Sequence, residues 1–282
     1  MEGSMRQRNR VPYRIFNLFY KMSQARESLS EYLERHEIVK YMEDAINQLL
    51  EQKDETPKMV PARFLSDYFK SAHEGTNTLF REFEYVSATT KNRKSLISCF
   101  WRCFNKLAGY GELLSVKEYH SLLCLLCYDF PLDIVQRTAH IVLMEDALDC
   151  LMSFIDFVYA FQIQFYYEEY LTLCKEVYEH LINGSSIVVP TSDTWQQKKR
   201  NFSQGNTEGV QSQAFYEAIE KLKVKLPKSA PSPDSQHVHS ELSKSSKTTY
   251  FGLLMALSRN EDINSEIGVL PNRGNVHHSD DS

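Results

Sequence analysis

The chain has 282 residues, enough for one large domain or for two small ones with tails. Its 42% hydrophobic and 24% charged residues suit a globular core. A net charge of -5 argues against a general polyanion binder, and no apolar run reaches the roughly 18 residues of a membrane span. Residues 1–30 form a basic, then amphipathic, extension in which Ile15, Leu18, Phe19 and Met22 share one helical face. Its apolar stretch is broken by Tyr13, Arg14, Asn17 and Lys21, so it makes a poor secretory signal.

Residues 31–78 read as a helical hairpin. Ile38, Met42, Ala45, Ile46, Leu49 and Leu50 recur at steps of three and four, which places them on one stripe. Pro57 breaks the pattern, and Pro61 suits the first turn of a second helix carrying Phe64, Leu65, Tyr68 and Phe69. A hairpin this short buries little surface alone, so its stripe must meet other chain. Ile38, Met42, Ile46, Leu49, Phe64 and Phe69 are the candidate partner-binding residues.

Residues 79–184 read as a second helical unit. Residues 79–86 are ambiguous between strand and helix. An amphipathic helix follows through Leu96, Cys99, Phe100, Cys103, Phe104 and Leu107, and a loop over residues 108–111. Ser115 with Glu118 three residues on forms a capping box for a helix over 116–127. Asp129 is a candidate cap for a helix to about Met144. Ser153 with Asp156 opens a long helix to about Leu181, ended by Asn183 and Gly184.

The outline over residues 141–167 is that of the second half of an EF-hand pair. With Asp156 at the twelfth loop position, the first, third and fifth become Glu145, Ala147 and Asp149, and Cys150 stands where the sharp turn needs Gly. With Glu118 as the twelfth position of the other loop, the same three places fall to Leu107, Gly109 and Gly111. Those ligand sets are too poor for calcium, so the expectation is a degenerate EF-hand-like domain without bound metal.

Residues 185–247 turn rich in Ser, Gln, Lys and Pro and read as a mostly flexible linker with one short helix over 209–226. Residues 248–270 read as a C-terminal helix packing on the body, and 271–282 as a disordered tail. The expected fold is therefore all-α: a docking-type hairpin, a degenerate EF-hand-like domain, and a mobile C-terminal region with short helices.

Catalytic signatures are missing: no phosphate loop, no dinucleotide fingerprint, no zincin helix and no nucleophile elbow. The adjacent acids Glu43 and Asp44, Glu145 and Asp146, and Glu168 and Glu169 diverge by about 100° on a helix and cannot act as a dyad. His237 and His239 lack further metal ligands. Cys124 and Cys127 form a CxxC inside an apolar helix, where core packing is the expectation. Basic clusters at residues 6–10, 91–94 and 198–200 lack interleaved stacking aromatics, which disfavours nucleic acid and leaves a loose attraction to an acidic partner. No enzyme activity and no cofactor is expected.

Residues 32–51 and 61–69 resemble the dimerisation/docking hairpin of protein kinase A regulatory subunits. That resemblance implies a homo- or heterodimer and a groove for an amphipathic helix. Over about residues 31–270, the words at 79–83, 100–104, 117–120, 141–167 and 252–258 resemble the centriolar satellite-associated tubulin polyglutamylase complex regulator family. This second resemblance implies a non-catalytic scaffold or regulatory subunit that helps assemble and localise the complex for microtubule polyglutamylation. The implied partners are polyglutamylase subunits, with tubulin or microtubules beyond them, and the implied places are cytoplasm, cytoskeleton, centriolar satellites, centrosome and cilium base. The alternatives are a docking module for amphipathic helices in kinase-anchoring or ciliary complexes, and a weak calcium sensor.

Overall fold

A computed structural model describes residues 29–56, 58–143, 150–183 and 209–276. The fold is all-α with two small two-stranded ladders. The extension helix through Ile15 and Phe19, the acids Glu145 and Asp149 with Ala147 between them, the stretch 184–208 and the histidines of the tail lie outside the described residues.

Helices α1 (Leu29–Arg35), α2 (Ile38–Glu55) and α3 (Pro61–Glu74) form the N-terminal hairpin. Pro61 opens α3 where its missing N–H costs nothing, and Gly75 ends it at φ 70°. The hairpin has its own small core of Tyr41, Ala45, Tyr68 and Ala72, with Phe64 and Leu65 packed against it.

The body begins with α4 (Phe83–Ser87), which makes the second half of the ambiguous stretch helix while residues 79–82 are turn and irregular chain, and α5 (Thr90–Phe104). The α5 cap is Thr89, whose side chain accepts the Asn92 N–H. The stretch expected as a loop is largely the short helix α6 (Lys106–Tyr110). Strand β1 (Leu113–Ser115) leads into α7 (Val116–Cys124), whose capping box between Ser115 and Glu118 is closed in both directions. Helix α8 (Leu132–Leu143) follows, starting three residues past Asp129. Asp129 caps nothing there, because its Oδ1 accepts the Phe83 N–H at 2.8 Å. Strand β2 (Leu151–Ser153) pairs antiparallel with β1, Leu114 opposite Met152, so two helix–loop–helix units are tied loop to loop.

The single long helix expected after Ser153 is two helices, α9 (Phe154–Tyr166) and α10 (Glu168–Ile182), broken at Tyr167. Arg93 reaches the break, donating to the Tyr166 carbonyl and pairing with Glu169. Helix α9 is buried over nearly its whole circumference. Phe157, Phe161 and Phe165 stack in parallel along one side at 5.8 and 5.5 Å, with Tyr119 against Phe157 at 3.9 Å. They belong to a first core shared with Leu96, Phe100, Leu123 and Val135. On its other side, Ala160 and Ile163 enter a second core.

That second core contains a helix within the expected 209–226 and departs from the linker expected after it. Strand β3 (Val210–Gln211), α11 (Ser212–Lys223) and α12 (Ser235–Leu242) all lie within residues 185–247, and they bury Phe215, Ile219, Val238 and Leu242 completely or nearly so. The reason is spacing: each helix carries two apolar residues four apart, enough for an inward stripe although the composition is polar. Strand β4 (Lys247–Thr248) pairs with β3, so closely that a Cβ on Gly209 would fall 2.7 Å from the Thr248 backbone. Helices α13 (Tyr250–Arg259) and α14 (Glu261–Ile267) complete the core. The start of the expected tail is also engaged: the Tyr159 hydroxyl donates to the Pro271 carbonyl, and Arg273, opening α15 (Arg273–Val276), lies over the Tyr159 ring.

Candidate partner-binding surface

The hairpin meets the body through polar groups. The Tyr41 hydroxyl is 2.7 Å from Thr89 Oγ1 and donates to Asn92 Oδ1 at 2.8 Å. Asp44 receives the Tyr68 hydroxyl at 2.6 Å and both terminal nitrogens of Arg81 at 3.2 and 2.7 Å. Arg81 also lies over the Tyr85 ring and pairs with Glu82. Burial pushes the Tyr41 hydroxyl up to about 12 and moves Tyr68 well above its usual range, with Asp44 adding to the latter. Both phenols therefore stay neutral donors. A cleft of about 220 Å³ beside this network is lined by Lys40, Tyr41, Glu43, Asp44, Glu84 and Asn92.

Because the docking side of α2 is polar, its apolar residues divide. Tyr41 and Ala45 face inward, whereas Val39, Met42, Ile46 and Leu50 are 49%, 41%, 45% and 56% exposed. Their spacing of three and four makes one outward row along α2. Of the six candidate residues, Met42 and Ile46 lie in this row, Phe69 is exposed on α3, Ile38 and Leu49 are half-buried, and Phe64 packs on the hairpin's own core. Val39 and Leu50 complete the row; Leu50 was legible in the stripe and Val39 only from the burial of Tyr41. Sequence reasoning also passes over Phe80, which holds φ 62° and is 76% exposed, its N–H donating to the Leu126 carbonyl at 2.8 Å.

The acids that would close calcium loops are engaged elsewhere. Glu118 Oε2 accepts from Ser115 N and Ser115 Oγ, both at 2.7 Å, and these hydrogen bonds hold its carboxyl below the usual range. Asp156 accepts from Ser153 Oγ at 2.8 Å and pairs with Arg273 at 3.4 Å. His237 meets Glu266 at 2.5 Å while His239 lies edge-on to Tyr216, so the two imidazoles diverge. Among the described residues, no three His, Cys, Asp or Glu side chains are placed to share a metal ion, and no helix is long and apolar enough to cross a membrane.

Fold and surface together define an all-helical protein with an outward apolar helix row. A family model described as the CSTPP1 N-terminal domain matches residues 25–75, the hairpin. The Homo sapiens protein named centriolar satellite-associated tubulin polyglutamylase complex regulator 1 is 46% identical over 253 residues, covering 88% of this chain and 76% of that protein. The Danio rerio protein of the same name is 42% identical over 260 residues, covering 90% and 78%. This chain belongs to that family of regulators. No solved structure matches it.

Proposed function

We propose that this chain is a non-catalytic regulator that helps assemble and place the tubulin polyglutamylase complex, using the outward row of α2 as a subunit contact. The observation that carries the contact is the division of α2: the polar network spends Tyr41 and Asp44 on the body and leaves Val39, Met42, Ile46 and Leu50 to solvent. An apolar row exposed at this cost fits a helical partner. Family membership supplies the complex, and the relatives' name supports a location at centriolar satellites, with the centrosome and cilium base as further places.

The same reading takes α5–β1–α7 and α8–β2–α9 as a degenerate EF-hand pair that keeps the loop-to-loop ladder and turns its closing acids to helix capping. Co-purification of tagged chain with polyglutamylase subunits tests the assembly role. Met42→Asp with Ile46→Asp is expected to abolish recovery of the subunits while the fold survives, and undiminished recovery overturns the proposal. Capture of an amphipathic helix without any polyglutamylase subunit would favour the kinase-anchoring or ciliary docking alternative, which uses the same row.

A further inference from the structure

Helix α5 turns one face outward. Lys91, Lys94, Ser98 and Arg102 stand along it at steps of three and four, forming one stripe. Asn105 keeps right-handed helical backbone angles, so Lys106 at the start of α6 carries the row on. Lys91, Arg102 and Lys106 are exposed, and Lys94 is half-buried.

None of these four cations is ion-paired among the described residues, although cations elsewhere in this acidic chain are: Lys40 with Glu37, Arg81 with Asp44, Arg93 with Glu169, Arg137 with Glu168, Lys244 with Glu241. Arg102 reaches Cys99 Sγ at 3.3 Å, and Lys94 sits 5.1 Å from the centre of the Tyr166 ring. Burial lowers the Lys94 pKa with no carboxylate to offset it. Like charges at helical spacing repel, so the row costs stability in the isolated chain.

At a rise of about 1.5 Å per residue, Lys91 and Lys106 are about 22 Å apart, the reach of about seven residues of extended peptide. No exposed aromatic side chain stands between the cations to stack a base: Trp101 is half-buried and stacks on Phe154. We propose that this face of α5 binds an extended run of glutamates, the product that a polyglutamylase builds on its substrate. The need for an anionic peptide rests on the charges and spacing; its identity as a glutamate chain rests on the function proposed above.

Fluorescence anisotropy of a labelled oligoglutamate of about seven residues, titrated with the full chain, tests this directly. Binding is expected to weaken about fivefold between about 50 and about 200 mM salt, as exposed charges are screened. Lys91→Glu with Arg102→Glu is expected to lower affinity about tenfold, and Lys91→Gln with Arg102→Gln to lower it less, both with an unchanged circular dichroism spectrum. Should the reversal variant unfold, the Gln pair decides. Lys221→Glu with Lys225→Glu, on a different exposed edge, is expected to leave affinity intact. No binding at low salt, equal loss in the control pair, or tighter binding of an oligonucleotide of equal charge would each overturn the assignment. The purified chain needs no complex for this assay, so loss of subunit recovery in the Met42 and Ile46 variants and loss of oligoglutamate binding are separable failures.

Discussion

Arg93 and Glu169 clamp α5 to α10 with a two-pronged ion pair, Nη1 to Oε2 at 2.7 Å and Nη2 to Oε1 at 2.5 Å. Arg93 is 7% exposed and also donates to the carbonyls of Ser87 and Tyr166. Burial raises the Glu169 pKa, but the guanidinium more than reverses this and leaves it below the usual carboxylate range.

Glu169→Ala is expected to cost about 3 kcal/mol in denaturant unfolding, at the low end for a broken buried pair because Glu169 keeps some contact with water. Arg93→Met removes the buried charge instead of orphaning it and is expected to cost less. The pH dependence follows from the depressed carboxyl: its contribution is complete above the unfolded value of about 4.3 and is lost as pH falls through the lower folded value. The stability gap between wild type and Glu169→Gln should therefore close on acidification below about pH 4.

Phe215 is fully buried, 5.7 Å from the Tyr178 ring. Phe215→Ala is expected to destabilise by about 3 to 4 kcal/mol. A flexible linker over 209–247 would instead give a change near zero, so one unfolding curve decides.

Cysteine reactivity reports the state of the CxxC. Burial pushes Cys127 up to about 12, with the Asp129 carboxylate adding to it, and burial does the same for Cys174 against the opposing Tyr170 hydrogen bond and the Lys223 charge. At pH 8 both therefore stay thiols rather than reactive thiolates. Cys103 is exposed. A thiol-reagent titration of native protein should show Cys103 reacting in a fast phase that Cys103→Ser removes, with Cys127 and Cys174 reacting only after denaturant is added.

Neighbouring positions on α2 should behave oppositely. Ala45 is fully buried and Ile46 is outward. Ala45→Asp places an unpaired charge in the hairpin core and is expected to unfold the hairpin. Met42→Asp and Ile46→Asp are expected to leave the melting temperature within about 2 °C of wild type, as substitutions on an exposed face do.

Local signals were legible in the sequence. The Ser115 and Glu118 capping box, the Ser153 cap, Pro61 at a first turn and the stripe on α2 all depend on residues within a turn or two of each other. What the sequence hides is decided by distant chain. The β1–β2 ladder joins three-residue strands 38 positions apart, too short to show a period. Residues 227–247 look like linker because their composition is polar and Val238 and Leu242 are their two fully or nearly fully buried aliphatic side chains. The stripe on α2 was visible, but which of its residues stay outward was not, because Tyr41 and Asp44 choose the docking side through Thr89 and Arg81. Phe80 carries no cue at all, since φ 62° usually announces itself as Gly or Asn.

Helix α9 belongs to two interiors at once, because Phe157, Phe161 and Phe165 fill one and Ala160 and Ile163 the other. The hairpin apart, which keeps its own small core, no cut that separates these two interiors leaves each of them finished: the helix would have to be inherited twice. Deletion series used to map binding regions would then remove surfaces in bulk, and silence from a fragment would speak of collapse before it spoke of a missing contact. Point changes on intact protein are the instrument this architecture permits.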